Sequence, residues 1–265
     1  MASELEQVRG KTSFITGAGT GLGSGFARIL AAAGSRVVVV DINRENAERT
    51  AASVGGEALI ADVGRPESIR SALQATRQKY GSLDIVINNA VVTAGGEPLD
   101  LTWDDWTGVL KVNLLGVIAG SIEALRIMKE QGSGWILNMG STNGLALTPM
   151  LGPYSTSKAG VVFFSRGLAE EARDFGVHVA VGCPGNIRTA ILPGHVSRLM
   201  PPMDVDVAAR TLLQGMLRRR RVIVFPLYAR AWWWADRIST ELLAPFRREI
   251  VRRARMRGDA VRHVR

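Results

Sequence analysis

Apolar residues along the chain alternate between short continuous runs and longer stretches with helical spacing. Lys11–Thr16 is a short apolar run that ends at glycines, and the following Phe26–Ala31 has helical spacing until Gly34 stops it. Arg36–Asp41 is a continuous β-branched run, the pattern of a strand buried on both faces. The alternation then predicts strands at Ala58–Ala61, Leu83–Asn88, Gly134–Met139 and Val177–Cys183, with Val222–Phe225 as an edge addition. Between them it predicts helices at Glu67–Lys79, at Asp104–Glu130 as one long or broken helix, and at Tyr154–Phe175. Strands alternating with helices in this way imply an α/β, doubly wound parallel sheet of Rossmann type, a single domain with helices on both faces. Strand order 3-2-1-4-5-6 is expected, with residues 1–226 as the catalytic domain and 227–265 as a helical extension.

A sheet of that kind gathers its function at the carboxyl ends of its strands. The glycine turn after the first strand, Asp41, Asp62, Asn88-Asn89, Ser141 and Pro184-Gly185 all fall there. Ordinary turn chemistry explains each of these singly but not their common position. In the turn, Gly17 permits a tight bend, Gly21 lets backbone approach a pyrophosphate, and Gly23 lets the helix pack near the strand. Asp41, eighteen residues after Gly23, can accept both hydrogen bonds of an adenosine ribose diol, and its charge opposes a 2′-phosphate. NAD is therefore expected over NADP; Arg44 is the counterargument, while Thr20 stands where a basic residue would help. Leu22, Ile42 and Asp62-Val63 complete the expected adenosine side, with the plain alternative that Asp62 is a turn aspartate before Gly64.

Tyr154 and Lys158 stand four residues apart on one helix face, so the ammonium is expected to pull the phenol below its usual pKa of about 10. Ser141 precedes Tyr154 by thirteen residues. With these residues in place, the chain resembles the short-chain dehydrogenase/reductase family from about Gly10 to Leu192. The motifs are Thr16-Gly17-x-x-x-Gly21-x-Gly23, Asn88-Asn89-Ala90, Asn113, Ser141, Tyr154-x-x-x-Lys158 and Pro184-Gly185-x-Ile187-x-Thr189. The resemblance implies Asn113, Ser141, Tyr154 and Lys158 as catalytic, Asn113 holding a relay water and Lys158 also the nicotinamide ribose. It implies that Asn89 and Ala90 line the cofactor and that Pro184, Gly185, Ile187 and Thr189 lie at its nicotinamide end. Val91 and Gly140 depart from the family pattern, and Gly140 is expected to widen the pocket. Reaction with a secondary alcohol or ketone follows; the alternatives are an NADPH-dependent ketone reductase and a non-catalytic cofactor-sensing or membrane-docking protein.

Composition narrows the remaining questions. With 265 residues and 46% hydrophobic positions the chain can bury one large core. One cysteine, Cys183, excludes an internal disulfide, and three scattered histidines give no metal-ligand spacing, so no metal is expected. His178 and Cys183 read as packing residues. The start Met1–Glu6 lacks the basic region and apolar run of a signal peptide, so a cytoplasmic location is expected. The net charge of +9 sits in the tail, where fourteen arginines face four acids from Met216 onward. Nucleic acid is not expected as a partner, since no base-reading module accompanies those arginines.

The walls expected to set specificity are Thr93–Glu97, Thr142–Leu151 and Asn186–Met203, whose leucines, isoleucines and methionines suit a small apolar alcohol or ketone. In the tail, Tyr228, Trp232, Ala235, Ile238 and Leu242 recur at helical spacing, and Pro245 is expected to interrupt before an arginine-dense helix from Phe246 to Met256. That tail can lie on an anionic bilayer as a peripheral contact or pack on the body and cap the substrate cleft; packing is favoured, because such stripes are more often interface than anchor. A homodimer or homotetramer is implied by the resemblance alone.

Overall fold

Strand β1 (Thr12–Thr16) lies within a seven-stranded sheet, flanked on one side by β2 (Arg36–Asp41) and β3 (Glu57–Ile60). On its other side follow β4 (Ile85–Asn88), β5 (Gly134–Met139), β6 (Val177–Pro184) and β7 (Val222–Phe225), giving the order 3-2-1-4-5-6-7. Every neighbouring pair is parallel. The architecture comes from a computed structural model that describes residues 3–146, 148–189, 200–257 and 262–264. The predicted order holds, and the added edge strand is β7.

Alternation of side chains along the strands makes two cores. Ile15, Val39, Ile87 and Leu137 face α1 (Gly21–Ala32), α2 (Arg44–Val54) and α7 (Val205–Leu217), where Phe26, Ala47 and Leu212 meet them. Phe14, Val38, Val86 and Ile136 face α3 (Pro66–Tyr80), α5 (Gly116–Gln131) and α6 (Gly152–Glu171), where Leu73, Met128 and Leu168 fill the space. Helices α2 and α7 were not expected from periodicity. Their signals were caps: Asn43 accepts from the Asn46 N–H before α2, and Asp204 accepts from Asp206 and Val207 before α7.

The expected long helix is continuous from Trp103 to Gln131, with α4 (Trp103–Leu110) joined to α5 through a π-helical turn at Lys111–Leu115. Thr102 and Asp105 form a reciprocal capping box at its start. By length and composition it is apolar enough to cross a bilayer, yet Val109, Asn113, Val117, Ala124 and Met128 are buried in the protein.

The tail differs from expectation in its breakpoint. Helix α8 (Leu227–Ile238) ends at Ser239, which is extended, and after a short 3₁₀ turn α9 runs over Ala244–Arg257. Pro245 does not interrupt; it occupies the first turn of α9, where its missing N–H has no intrahelical partner to lose. Tyr228, Trp232 and Ala235 are half-buried, and Trp232 meets Phe246 edge-on at 5.0 Å between ring centroids. Leu227, Trp234 and Ile238 face outward, while the side chain of Leu242 lies outside the described residues. Arg262–Val264 pairs antiparallel with Thr93–Gly95.

One buried polar network fixes α5 and α6 against the sheet. Asn88 Nδ2 donates to Ser121 Oγ at 3.1 Å and to Asn138 Oδ1 at 2.8 Å, and Asn138 Nδ2 donates to Ser165 Oγ at 3.0 Å. All four residues are buried, so each of these groups depends on its protein partners. Gly120 makes room for it: a Cβ there would lie 2.4 Å from Asn88 Oδ1. Gly120→Ala is expected to destabilise the protein by about 2 kcal/mol in urea denaturation, although alanine favours a helix by about 1 kcal/mol. An unchanged or raised midpoint would show that the network does not constrain the helix.

Candidate active site

The turn after β1 has no side chain to spare. Gly17 has φ +60° and approaches the Ala90 backbone so closely that a Cβ would sit 2.7 Å from Ala90 Cα. A Cβ on Gly23 would sit 2.1 Å from Gly17 O. The turn is held from β4: Asn89 Nδ2 donates to Thr16 O at 3.0 Å and to Gly17 O at 3.1 Å, while the Asn89 and Ala90 N–H groups donate to Thr16 Oγ1. Thr20 starts α1 without a side-chain cap, leaving the first-turn N–H groups of the helix to an anion.

The other expected cofactor residues surround this turn. Asp41 Oδ2 accepts from Gly19 N–H at 2.9 Å and Oδ1 from Asn43 N–H at 3.0 Å, which ties the end of β2 to the turn. Ile42, next to it, is 68% exposed. Thr189 stands over Gly21, with Cγ2 3.5 Å from where a Cβ would be. Leu22 is in the first turn of α1, and Val63 lies against Gly116 at the start of α5. Asp62 behaves as its plain alternative describes: Oδ1 accepts from Gly64 N–H at 2.9 Å, and Arg65 is its ionic neighbour. Beyond the catalytic strand end, Pro184 O accepts from Thr142 Oγ1 at 3.1 Å, Gly185 N–H donates to Phe225 O at 2.8 Å, and Ile187 is buried.

At the ends of β5 and β6 the predicted catalytic side chains converge. Ser141 Oγ accepts from Asn143 N–H at 3.1 Å, and its side chain neighbours the Tyr154 phenol. Burial pushes the Tyr154 phenol above its ordinary pKa, and the neighbouring Ser141 side chain only partly opposes that. The expected lowering by Lys158 is thus not what the protein alone provides. Lys158 is itself 2% exposed, and burial pushes its ammonium down to about 8. Its Nζ donates to Met139 O at 2.7 Å and lies 5.7 Å from the centroid of the Tyr154 ring.

Asn113 is buried in the π-helical turn, and both ends of its side-chain amide are hydrogen-bonded. Oδ1 accepts from Val92 N–H at 2.9 Å, while Nδ2 donates to Val92 O at 2.8 Å and to Ser157 Oγ at 3.2 Å. It acts as a clamp between β4's exit and α6, through partners distant in sequence. Gly140 is also a correction. The space beside it is filled by Val181 and Cys183 of β6, at 3.0 and 3.1 Å from a Cβ, so its lack of a side chain serves sheet packing rather than the pocket. Burial pushes the Cys183 thiol up to about 12, which leaves it inert. His178, in the first half of β6, lies at the opposite end of the sheet from this chemistry. Among the described residues no cluster of His, Cys, Asp and Glu could hold a metal.

Sequence reasoning placed Tyr228 in the aromatic stripe but not at the site. Its hydroxyl accepts from Asn186 N–H at 3.0 Å and donates to Pro201 O at 3.3 Å, and its ring lies against Gly185. Asn186 Nδ2 also donates to Met200 O at 3.0 Å, and Ile187 bridges to Met203. The extension therefore grips both flanks of one expected specificity wall; Leu147 and residues 190–199 of those walls, with Ile191, Leu192 and Leu199, lie outside the described residues. Met150, at the foot of α6, has φ +67°, a strained conformation whose carbonyl accepts from Gly96 N–H at 3.0 Å.

Comparison with known proteins agrees with this geometry. The family model described as short chain dehydrogenase matches residues 11–198. An uncharacterized oxidoreductase of Staphylococcus aureus is 30% identical over 217 residues, 81% of this chain and 94% of that one. The 3-oxoacyl-[acyl-carrier-protein] reductase of Vibrio cholerae is 31% identical over 184 residues, 69% of this chain and 75% of that one. Among solved structures, a short chain dehydrogenase/reductase from Burkholderia phymatum in complex with NAD superposes with TM-score 0.81 at 26% identity, covering 89% of this chain and 95% of that one. A short-chain type dehydrogenase/reductase from Mycobacterium marinum gives 0.77 at 27% identity, covering 85% and 97%.

Two variants test the geometry. A buried Lys158 whose pKa is about 8 binds its proton less readily than the unfolded chain, so stability rises with pH between about 8 and 10.5, and at neutral pH the folded state carries a cost on the order of 3 kcal/mol. Lys158→Met is expected to raise stability at neutral pH by about 1–3 kcal/mol and to flatten that alkaline rise in urea titrations, while abolishing activity. Tyr228→Phe removes both hydroxyl bonds and is expected to lower kcat/KM about tenfold while shifting the unfolding midpoint by about 1 kcal/mol or less. Equal kinetics in that variant would confine Tyr228 to packing.

Proposed function

The chain belongs to the short chain dehydrogenase family of oxidoreductases, and from that premise we propose that it transfers a hydride between NAD and an apolar secondary alcohol or ketone. The observation that carries the proposal is the meeting of Ser141, Tyr154 and Lys158 at the strand ends beside a glycine turn whose flank is Asp41. The cradle fits a dinucleotide: Gly17 and Gly23 leave no room for side chains, and the uncapped start of α1 offers N–H groups to a pyrophosphate. Asp41 would hold the ribose diol and Thr189 would stand beside the phosphates. Arg44, the residue that argued for NADP, pairs with Glu48 at 3.2 Å on the outside of α2, which favours NAD.

In oxidation Tyr154 takes the proton of the substrate hydroxyl as its C–O bond becomes a carbonyl. A nicotinamide held by the glycine turn and Asp41 would supply the acceptor for the hydride that leaves the carbinol carbon. Ser141 donates a hydrogen bond to the substrate oxygen, and the Lys158 ammonium offsets the charge that develops on the phenolate. In reduction the same phenol donates its proton to the forming alkoxide. Because burial raises the Tyr154 pKa, the protonated phenol dominates at neutral pH, so ketone reduction is ready there and alcohol oxidation gains with pH. The reductase name of the Vibrio cholerae relative makes NADPH-dependent ketone reduction the second reading.

Leu115 at the end of the π-helical turn, Ile122 on α5 and Phe163 on α6 are exposed, with Phe163 at 81%, and support a homodimer or homotetramer built on those helices. On α8, exposed Leu227, Trp234 and Ile238 with Arg230 and Arg237 beside them support a peripheral contact with an anionic bilayer, consistent with a cytoplasmic location at the membrane surface.

Absorbance of reduced nicotinamide, followed with a graded panel of secondary alcohols and ketones, tests the reading. Tyr154→Phe is expected to lower kcat on the order of a thousandfold, and the oxidation rate is expected to rise with pH from neutrality while reduction does not. Asp41→Asn keeps an acceptor for Gly19 N–H and removes the charge. It is expected to raise the NADP-to-NAD ratio of kcat/KM by about tenfold or more. A wild type preferring NADP, or a ratio unmoved in the variant, would overturn the NAD assignment.

A further inference from the structure

Helix α9 carries six arginines and one glutamate in fourteen residues, and it touches two of the expected substrate walls, at Glu97 and at Pro149. Arg255 Nε donates to Glu97 Oε1 at 2.6 Å, and that bond holds the Glu97 carboxyl below its usual range. Gly96 N–H in turn bonds Met150 O, so Glu97 and Met150 belong to one connected rim above the catalytic helix. Beside this rim, Pro149 and α9 form an open groove of about 490 Å³, lined on the helix by Val251, Met256 and the stems of Arg247, Arg248, Arg252 and Arg255. Its surface is almost wholly carbon, because arginine stems line it as readily as valine does.

The charges around the groove are incompletely answered. Arg247 is 8% exposed and ion-paired with Asp236, yet its Nε–H is buried without a hydrogen-bond partner, a state that ordinarily costs about 1–3 kcal/mol. Arg252 and Arg253 share the single carboxylate of Glu249. Arg248 is exposed and has no acidic partner among the described residues. An apolar channel bordered by surplus guanidinium groups suits an apolar chain that ends in an oxyanion, since arginine binds carboxylate and phosphate through paired N–H donors.

Resting on the dehydrogenase reading, we propose that the substrate is an amphipathic alcohol or ketone whose apolar chain lies in this groove and ends in a carboxylate or phosphate held by Arg248. The reacting carbon stays at Tyr154 and the anion serves as the distal handle. The class is then narrower than a neutral apolar alcohol, and the arginine-rich extension is part of specificity.

The test uses the full chain with NAD and three matched probes: a medium-chain fatty acid with a secondary hydroxyl near its far end, the methyl ester of that acid, and the corresponding alkyl phosphate. Binding by titration calorimetry and kcat/KM are both measured. The carboxylate or the phosphate is expected to exceed the ester by about tenfold or more, the contribution of one charge-assisted bond, and high salt is expected to shrink that margin. The better anion identifies the handle. In Arg248→Gln the anion-to-ester ratio, read within one preparation, is expected to fall toward unity. Equal binding of both anions and ester in wild type, or an unchanged ratio in the variant, overturns the proposal. So does sedimentation with phosphatidylglycerol vesicles without any preference among the probes, which would assign these arginines to a membrane. Turnover of the ester without anion preference removes the groove proposal and leaves the dehydrogenase standing; anion preference in binding without turnover does the reverse.

Discussion

The bond pair between Asn89 and the turn after β1 is the constraint on which the site depends. A sharp turn leaves carbonyls pointing where a strand would have paired them, and Asn89 Nδ2 collects two of them, Thr16 O and Gly17 O. Thr16 Oγ1 answers by accepting from the Asn89 and Ala90 N–H groups, so the end of β4 and the end of β1 become one unit. From there the chain passes through Val91 to Val92, both of whose backbone groups are held by Asn113. Asn113 also reaches Ser157, whose hydroxyl donates to Tyr154 O at 2.6 Å. Hydrogen bonds, joined by one covalent step through Val91, therefore run from the glycine turn to the backbone of Tyr154, and geometry at one end is fixed relative to the other.

That continuity explains why the π-helical turn is kept. A regular helix from Trp103 to Gln131 would place residue 113 at a different angle relative to the turns on either side. The wider turn at Lys111–Leu115 lets one asparagine face both the β4 exit and α6 while the flanking helix surfaces still bury Val109 and Val117. The strand order and most helices were legible because apolar periodicity reports burial directly, and the glycine turn was legible because a required absence of side chains is written as glycine. The role of Asn113 as a clamp was not legible. Its partners are 21 and 44 residues away, and nothing in its immediate sequence says which backbone it will meet.

Electrostatics was the least readable layer, and Lys158 shows why. Four-residue spacing correctly puts the lysine on the tyrosine's helix face, but spacing contains no information about solvent. The structure buries the pair, and burial acts on both groups in opposite senses: it favours the neutral phenol and the neutral amine. Only a bound molecule with its own charges and hydroxyls, or a developing charge on the substrate oxygen, makes the ion pair favourable again. In the free protein the buried ammonium is a cost, and under the proposed chemistry that cost is offset only in the reacting state, where stabilisation raises a rate.

The same argument extends to the carboxyl-terminal extension. Tyr228, Arg255 and the strand at Arg262–Val264 attach it at three places, to Asn186 and Pro201, to Glu97, and to Thr93–Gly95. All three are in the segments that sequence reasoning assigned to the substrate rather than to the cofactor. An ion pair between exposed side chains adds little stability, and a three-residue strand adds little more, so global stability is a weak reason for such placement. Their shared effect is to fix the walls of a cleft whose floor is already rigid. The helical spacing of Tyr228 with Trp232 predicts a stripe that packs on the body and caps the cleft, and the ring does pack; what spacing does not show is that the hydroxyl at the ring's far end bonds Asn186 and Pro201.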